Sequence, residues 1–166
     1  MTVVSDSTTL ISLAKIDQFE LLRDLFTEII IPASVYEEVV NKGKGRQGQQ
    51  QVKNSSWIRL KPVKNRLAVQ ALKTVLGEGE AEAIVLAKEE NADIIILDDG
   101  KARKEAKRMG LKIMGTVGIL LESCKKGKLH FKLNLDRLLI SGFRLRKSEY
   151  YKILEIAKKE CPNYVE

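Results

Sequence analysis

One histidine, His130, and two cysteines, Cys124 and Cys161, are all the imidazole and thiol that 166 residues offer. That shortage nearly removes histidine-based and cysteine-based nucleophilic catalysis. With no C-x-x-C pair there is no sign of a thiolate zinc site, and two cysteines 37 residues apart do not suggest a disulfide framework. A reducing compartment, the cytoplasm, fits that usage. Aromatic residues make up only 5% of the chain and Trp57 stands alone, so a stacking platform for single-stranded nucleic acid has little support. No run of about 18 apolar residues exists to span a membrane. No basic segment precedes the first apolar stretch, which Asp6 interrupts early, so a signal peptide is not expected.

Carboxylates are what the chain does have, in telling places. Asp6 follows Val3-Val4, Asp98 and Asp99 follow the run Ile94 to Leu97, and Glu38, Glu80 and Glu82 fall on predicted helices. The formal charge of +7 conceals segregation: residues 1–40 carry −5, 41–75 carry +9, 76–100 carry −7 and 101–166 carry +10. Such blocks suit an acidic pocket set in a basic surface, where a polyanion is held over a metal-loaded site. A Lys-rich surface with solvated helix faces would give a similar count.

The hydrophobic pattern predicts strands at Val3–Ser5, Ile29–Ile31 and Asp93–Leu97, a weaker edge strand at Trp57–Leu60 and a short one at Leu111–Met114. Between them the spacing predicts helices: one capped by Ser7, Thr8 or Thr9, one near 18–26, one from Pro32 through Val40, then 66–76 and one opened by Gly77-Glu78-Gly79-Glu80. Further helices are expected over 101–109, 116–125, 134–140 and 147–159. Residues 41–55, rich in glycine and glutamine, read as a mobile loop or a frayed helix end. Strands alternating with helices imply a parallel sheet covered on both faces, in a single domain over 1–166. Its metal-site core would occupy about 1–127, with a C-terminal helical extension from about 128.

In an open α/β sheet, ligands gather beyond the carboxyl ends of the strands. Asp6 and the pair Asp98-Asp99 sit at such ends, and they share an edge if their strands are neighbours. Glu80 lies in the first turn of its helix, where the dipole favours an anion. Converging carboxylates raise one another's pKa unless a cation relieves the repulsion. A hard divalent ion such as Mg²⁺ or Mn²⁺ does so and retains sites for water and phosphate oxygens, which makes phosphodiester hydrolysis the natural chemistry. Each acid alone is as readily structural; their joint placement carries the reading. Basic residues follow directly: Lys101, Arg103, Lys104 and Arg108, of which Lys101, Lys104 and Arg108 can share a helix face that grips phosphates. The loop cations Lys42, Lys44 and Arg46 could clamp RNA or simply be mobile.

The stretches "VVSDSTTLISLAKI", "IIIPASVYEEVV", "GEGEAEAIVLA", "IIILDDGKARKEAKRMGLKIMGTVGILL" and "LLISGFRLRKSEYYKIL" together resemble a PIN-domain ribonuclease, nearest a prokaryotic branch related to the VapC-type toxins. The resemblance implies a three-layer α/β/α sandwich with a short, mostly parallel sheet. It implies Mg²⁺- or Mn²⁺-dependent cleavage of RNA, frequent homodimers, and an antitoxin protein where a toxin pair exists. By position, the family's first acid falls on Asp6 with the nearby hydroxyl on Thr8, the second on Glu38 rather than Glu37, and the third on Glu80. Glu82 is a close competitor for the third. The fourth falls on Asp99, with Asp98 able to ligate as well. The family's usual threonine two residues before that acid is here Leu97, and Glu80 stands where aspartate is common. Both departures leave room for a second reading, a catalytically silent nucleic-acid-binding module.

Overall fold

A computed structural model describes residues 1–166. Five short strands form one all-parallel sheet: β1 (Val3–Ser5), β2 (Ile29–Ile31), β3 (Ile58–Leu60), β4 (Ile94–Ile96) and β5 (Ile113–Met114). Their order across the sheet is β3-β2-β1-β4-β5. β1 therefore has β2 on one side and β4 on the other, with Val3, Val4 and Ser5 in register with Ile94, Ile95 and Ile96.

The central strands are apolar at every position because both faces are covered, as parallel sheets require. Side chains alternate between two cores. Val3, Ile29, Ile31, Ile94 and Ile96 enter the larger one, while Val4, Ile30, Ile95 and Leu97 enter the smaller. Val4, Ile95, Ile96 and Leu97 are fully buried, and each such side chain is worth about 1.5–3 kcal/mol of burial.

Ten helices make the outer layers, and the whole is an α/β/α sandwich. On the larger core lie α1 (Ser7–Lys15), α2 (Leu21–Phe26), α3 (Ala33–Tyr36), α4 (Gln49–Asn54), α8 (Thr116–Lys125), α9 (Phe131–Ile140) and α10 (Lys147–Glu160). On the smaller lie α6 (Glu78–Glu89) and α7 (Gly100–Arg108), with α5 (Arg66–Leu72) packed on α6. No helix is long and apolar enough to cross a membrane.

Three expectations are corrected here. The stretch 41–55 is not a loose loop throughout. Residues Glu37–Asn41 continue α3 as a π-helical turn, and the glutamine run forms α4. Val52 anchors that helix in the core, and buried Gln49 donates to the Val40 carbonyl at 3.0 Å and accepts from Gly45 N–H at 2.8 Å. One apolar residue in a polar run gave no periodicity to read. The first helix is capped by Asp6 itself, whose Oδ1 accepts from Thr8 N–H at 3.0 Å, not by the following hydroxyls. Finally, Cys124 of α8 and Cys161, just after α10, are joined as a disulfide with Cα atoms 5.4 Å apart. Packing of α10 on α8 brings together two cysteines whose separation in sequence suggested no pairing.

Candidate active site

The strand order reverses direction between β1 and β4, and that is where an open parallel sheet leaves a crevice at its carboxyl end. β1 ends into Asp6, whose N–H donates to the Ile96 carbonyl at 3.2 Å, and β4 runs on through Leu97 into Asp98 and Asp99. The three aspartates thus share one edge. Glu80 arrives on the first turn of α6 and Glu38 on the π-helical turn after α3. A Cβ placed on Gly79 would lie 3.4 Å from Glu38 Oε2, and one on Gly77 would lie 3.2 Å from Glu80 Oε1. Both glutamate heads therefore rest against the start of α6.

The three aspartates each accept from an N–H at the beginning of a helix, and Glu80 lies in the first turn of α6. Asp6 caps α1, Asp99 caps α7 by accepting from Ala102 N–H at 3.0 Å, and Asp98 accepts from Thr116 N–H at 2.8 Å where α8 begins. Helix N-termini carry free N–H groups and partial positive charge, so a parallel sheet that turns straight into helices supports anions at this edge.

Hydroxyl groups fix the carboxylates further. Ser7 Oγ donates to Glu38 Oε2 at 2.8 Å, and Thr9 Oγ1 donates to Asp98 Oδ2 at 3.0 Å. The Thr116 hydroxyl reaches the same Asp98 oxygen. The sequence does not single out Ser7, Thr9 or Thr116 for the site, although only Gly115 separates Thr116 from the end of β5, near the strand end where ligands gather. Thr8, expected as the nearby hydroxyl, is exposed and lines a hollow beside Asp98 and Asp99.

The electrostatics record the crowding. Asp6 is only 2% exposed, and burial pushes its pKa from 3.8 up to about 8. Asp98, Glu80 and Glu38 add to that rise, and the Thr8 N–H offsets part of it. Glu80 is also raised, first by burial and then by neighbouring Asp99 and Glu38. Its Oε2 is buried with no hydrogen-bond partner. An acceptor without a donor in a buried acidic cluster is a place for a cation. No three of the acids are drawn tightly enough to form a ready coordination sphere. Mg²⁺, however, needs only one or two carboxylates and completes its octahedron with water, so an all-oxygen set of this kind fits a hard divalent ion.

Glu82, the competitor for Glu80, is occupied elsewhere. Its Oε1 accepts from Ser34 N–H at 2.9 Å and its Oε2 pairs with Arg66. Burial opposes its charge, but the Ser34 and Arg66 contacts together hold its pKa below the usual glutamate value. The basic residues after the acidic edge divide. Arg103 bonds the Leu97 carbonyl at 3.4 Å and lies beside Asp98, Arg108 pairs with Glu105, and Lys101 and Lys104 extend into solvent. His130 is exposed just before α9.

The family model described as DUF3368: PIN domain matches residues 2–159. No curated protein matches the chain.

Proposed function

Because this chain belongs to the PIN-domain family, whose members are generally nucleases that use divalent metal ions, we propose that it hydrolyses RNA phosphodiesters at the acidic cleft with Mg²⁺ or Mn²⁺. The single observation behind this reading is the convergence of carboxylates from four separate segments on the β1/β4 reversal, with Glu80 Oε2 buried and unpartnered among them. Asp6, Glu80 and Asp99 would hold the ion directly or through water, and Asp98, clamped by Thr9 and Thr116, would support it from the side. When bound, such an ion lowers the pKa of water and offsets charge on the phosphate. Glu38, which accepts from Ser7, would orient a water and take its proton. The helix N-termini that face the cleft favour the charge that builds on phosphate oxygens in the transition state.

The same reading carries a homodimer, a cytoplasmic setting and, where a toxin pair exists, an antitoxin partner. A module that binds RNA without turnover is the second reading. The spacing of the acids favours it, since no three are already gathered for an ion. One experiment separates them: purified protein is incubated with RNA in Mg²⁺ or Mn²⁺, with and without chelator, beside Asp6→Asn and Asp99→Asn. Chelator-sensitive cleavage that falls about 10²-fold or more in both variants supports the nuclease. Cleavage unchanged in both, or RNA binding with neither cleavage nor metal affinity, rejects it.

A further inference from the structure

The chain between α9 and α10, Ser141 to Arg146, lies outside the acidic group and yet forms one wall of its approach. Two hollows meet along this segment. One, about 520 Å³, is bounded by Thr8, Ser12 and Lys15 on one face of α1, by Asp98 and Asp99, and by Phe143 and Arg144. The other, about 570 Å³, has an apolar floor that includes Met114, Leu121 and Ile153, with Asp98 and Arg103 at its rim. Asp98, Phe143 and Arg144 border both. Gly142, at φ +105°, makes the turn that sets Phe143 and Arg144 there, a backbone state that disfavours any side chain.

Lys15 and Arg144 are exposed, and neither belongs to any ion pair of the protein. Most lysines and arginines of the chain are likewise unpaired, so what sets these two apart is their place: both border a hollow that also holds two carboxylates. Lys15 and Arg144 are thus free donors held beside, but not on, the acidic group. An anion lodged between them would lie one step from the carboxylates, whose repulsion the two cations offset. Lysine suits a phosphate as a point charge, and arginine suits it as a fork of donors.

Resting on the nuclease reading, we propose that Lys15 and Arg144 form a subsite for a backbone phosphate of the RNA strand, adjacent to the phosphate that is cut. The C-terminal extension then supplies half of the substrate site, and the stripe on α7 plays the lesser part: neither Lys101 nor Lys104 borders these hollows.

The test uses a short, labelled single-stranded RNA of mixed sequence, titrated against the full-length protein over a range of salt, with cleavage in Mn²⁺ followed in parallel. Lys15→Gln/Arg144→Gln is compared with Lys126→Gln/Lys128→Gln, which removes the same charge from exposed residues outside the hollows. Thermal unfolding of each variant accompanies the titrations. The first pair is expected to weaken binding about tenfold or more, to reduce the salt slope by about 1, and to raise KM more than it lowers kcat, while the second changes affinity less than about threefold. Arg144→Lys, which keeps the charge but loses the fork, retains more affinity than Arg144→Gln. Equal losses in the two pairs would reduce the effect to general attraction and overturn the subsite. If the wild type cuts RNA and Lys15→Gln/Arg144→Gln matches it, the subsite alone is overturned. If the wild type neither binds nor cuts RNA, subsite and nuclease reading fall together.

Discussion

Asp6 couples proton binding to stability and, on the proposed reading, to an ion as well. Its folded pKa stands near 8 against an ordinary 3.8, so between those values the folded chain keeps a proton that the unfolded chain has released. Stability from this group is greatest below the lower value and declines as pH rises through about 8. Thermal midpoints of the ion-free protein, measured against pH, should show that decline, and Asp6→Asn should flatten it. A bound divalent ion takes the proton's place, so Mn²⁺ should raise the midpoint more as pH climbs through the same window. Binding near neutrality should release about one proton, which calorimetry in two buffers of different ionisation enthalpy reads directly. Uptake without proton release would remove Asp6 from the ion's surroundings.

Two glutamates one turn-edge apart on α6 give opposite expectations. Glu82→Gln weakens the contacts with Arg66 and Ser34 and should cost about 1–3 kcal/mol of stability by denaturant titration, with Mn²⁺ affinity kept. Glu80→Gln relieves repulsion from Asp99 and Glu38, so it should leave the ion-free protein as stable or more so while Mn²⁺ affinity falls. The sequence could not separate the pair, because both stand within "GEGEAEAI" and differ only in the side of the helix they occupy. Asp6, Asp98 and Asp99 were legible because each ends an apolar run, and strand ends are where such sheets place ligands.

Among the elements, the turn from β5 into α8 is the tightest join at the site. A Cβ on Gly115 would come within 2.8 Å of both Asp98 Oδ1 and Arg103 Nη1. Gly115→Ala must push Asp98 off the Thr116 N–H, and overpacking of this kind costs about 1–3 kcal/mol. It should lower Mn²⁺ affinity together with stability; unchanged affinity would show that Asp98 stands apart from the ion. Central strands and long helices were readable because burial on two faces or on one stripe leaves a plain period. The π-helical turn that carries Glu38, and α4 behind it, were not, since one widened turn and a single anchoring Val52 leave none.

At the scale of the whole molecule, the Cys124–Cys161 link ties the chain's last helix to the layer over the larger core. It closes a loop across a separation of 37 residues, for which chain entropy gives about 3–4 kcal/mol. Reductant should lower the unfolding midpoint by a corresponding amount, while Cys124→Ser/Cys161→Ser should show no response to reductant. A wild-type midpoint indifferent to reductant would show that packing alone holds α10. The sheet's order was beyond sequence reasoning, because pairing of β1 with β4 is a contact between segments some 90 residues apart with no local mark.

That pairing has a consequence for the order in which the protein is made. While the ribosome is still extending the chain, β1 can find β2 but not β4, so the early folded portion holds Asp6 and Glu38 of the acidic group but neither Glu80 nor the Asp98-Asp99 pair. Residues 141–146 come later still. A fragment that stops short of β4 would carry an incomplete acidic cleft, and the group is assembled only once residue 99 has been made and β4 has docked on β1.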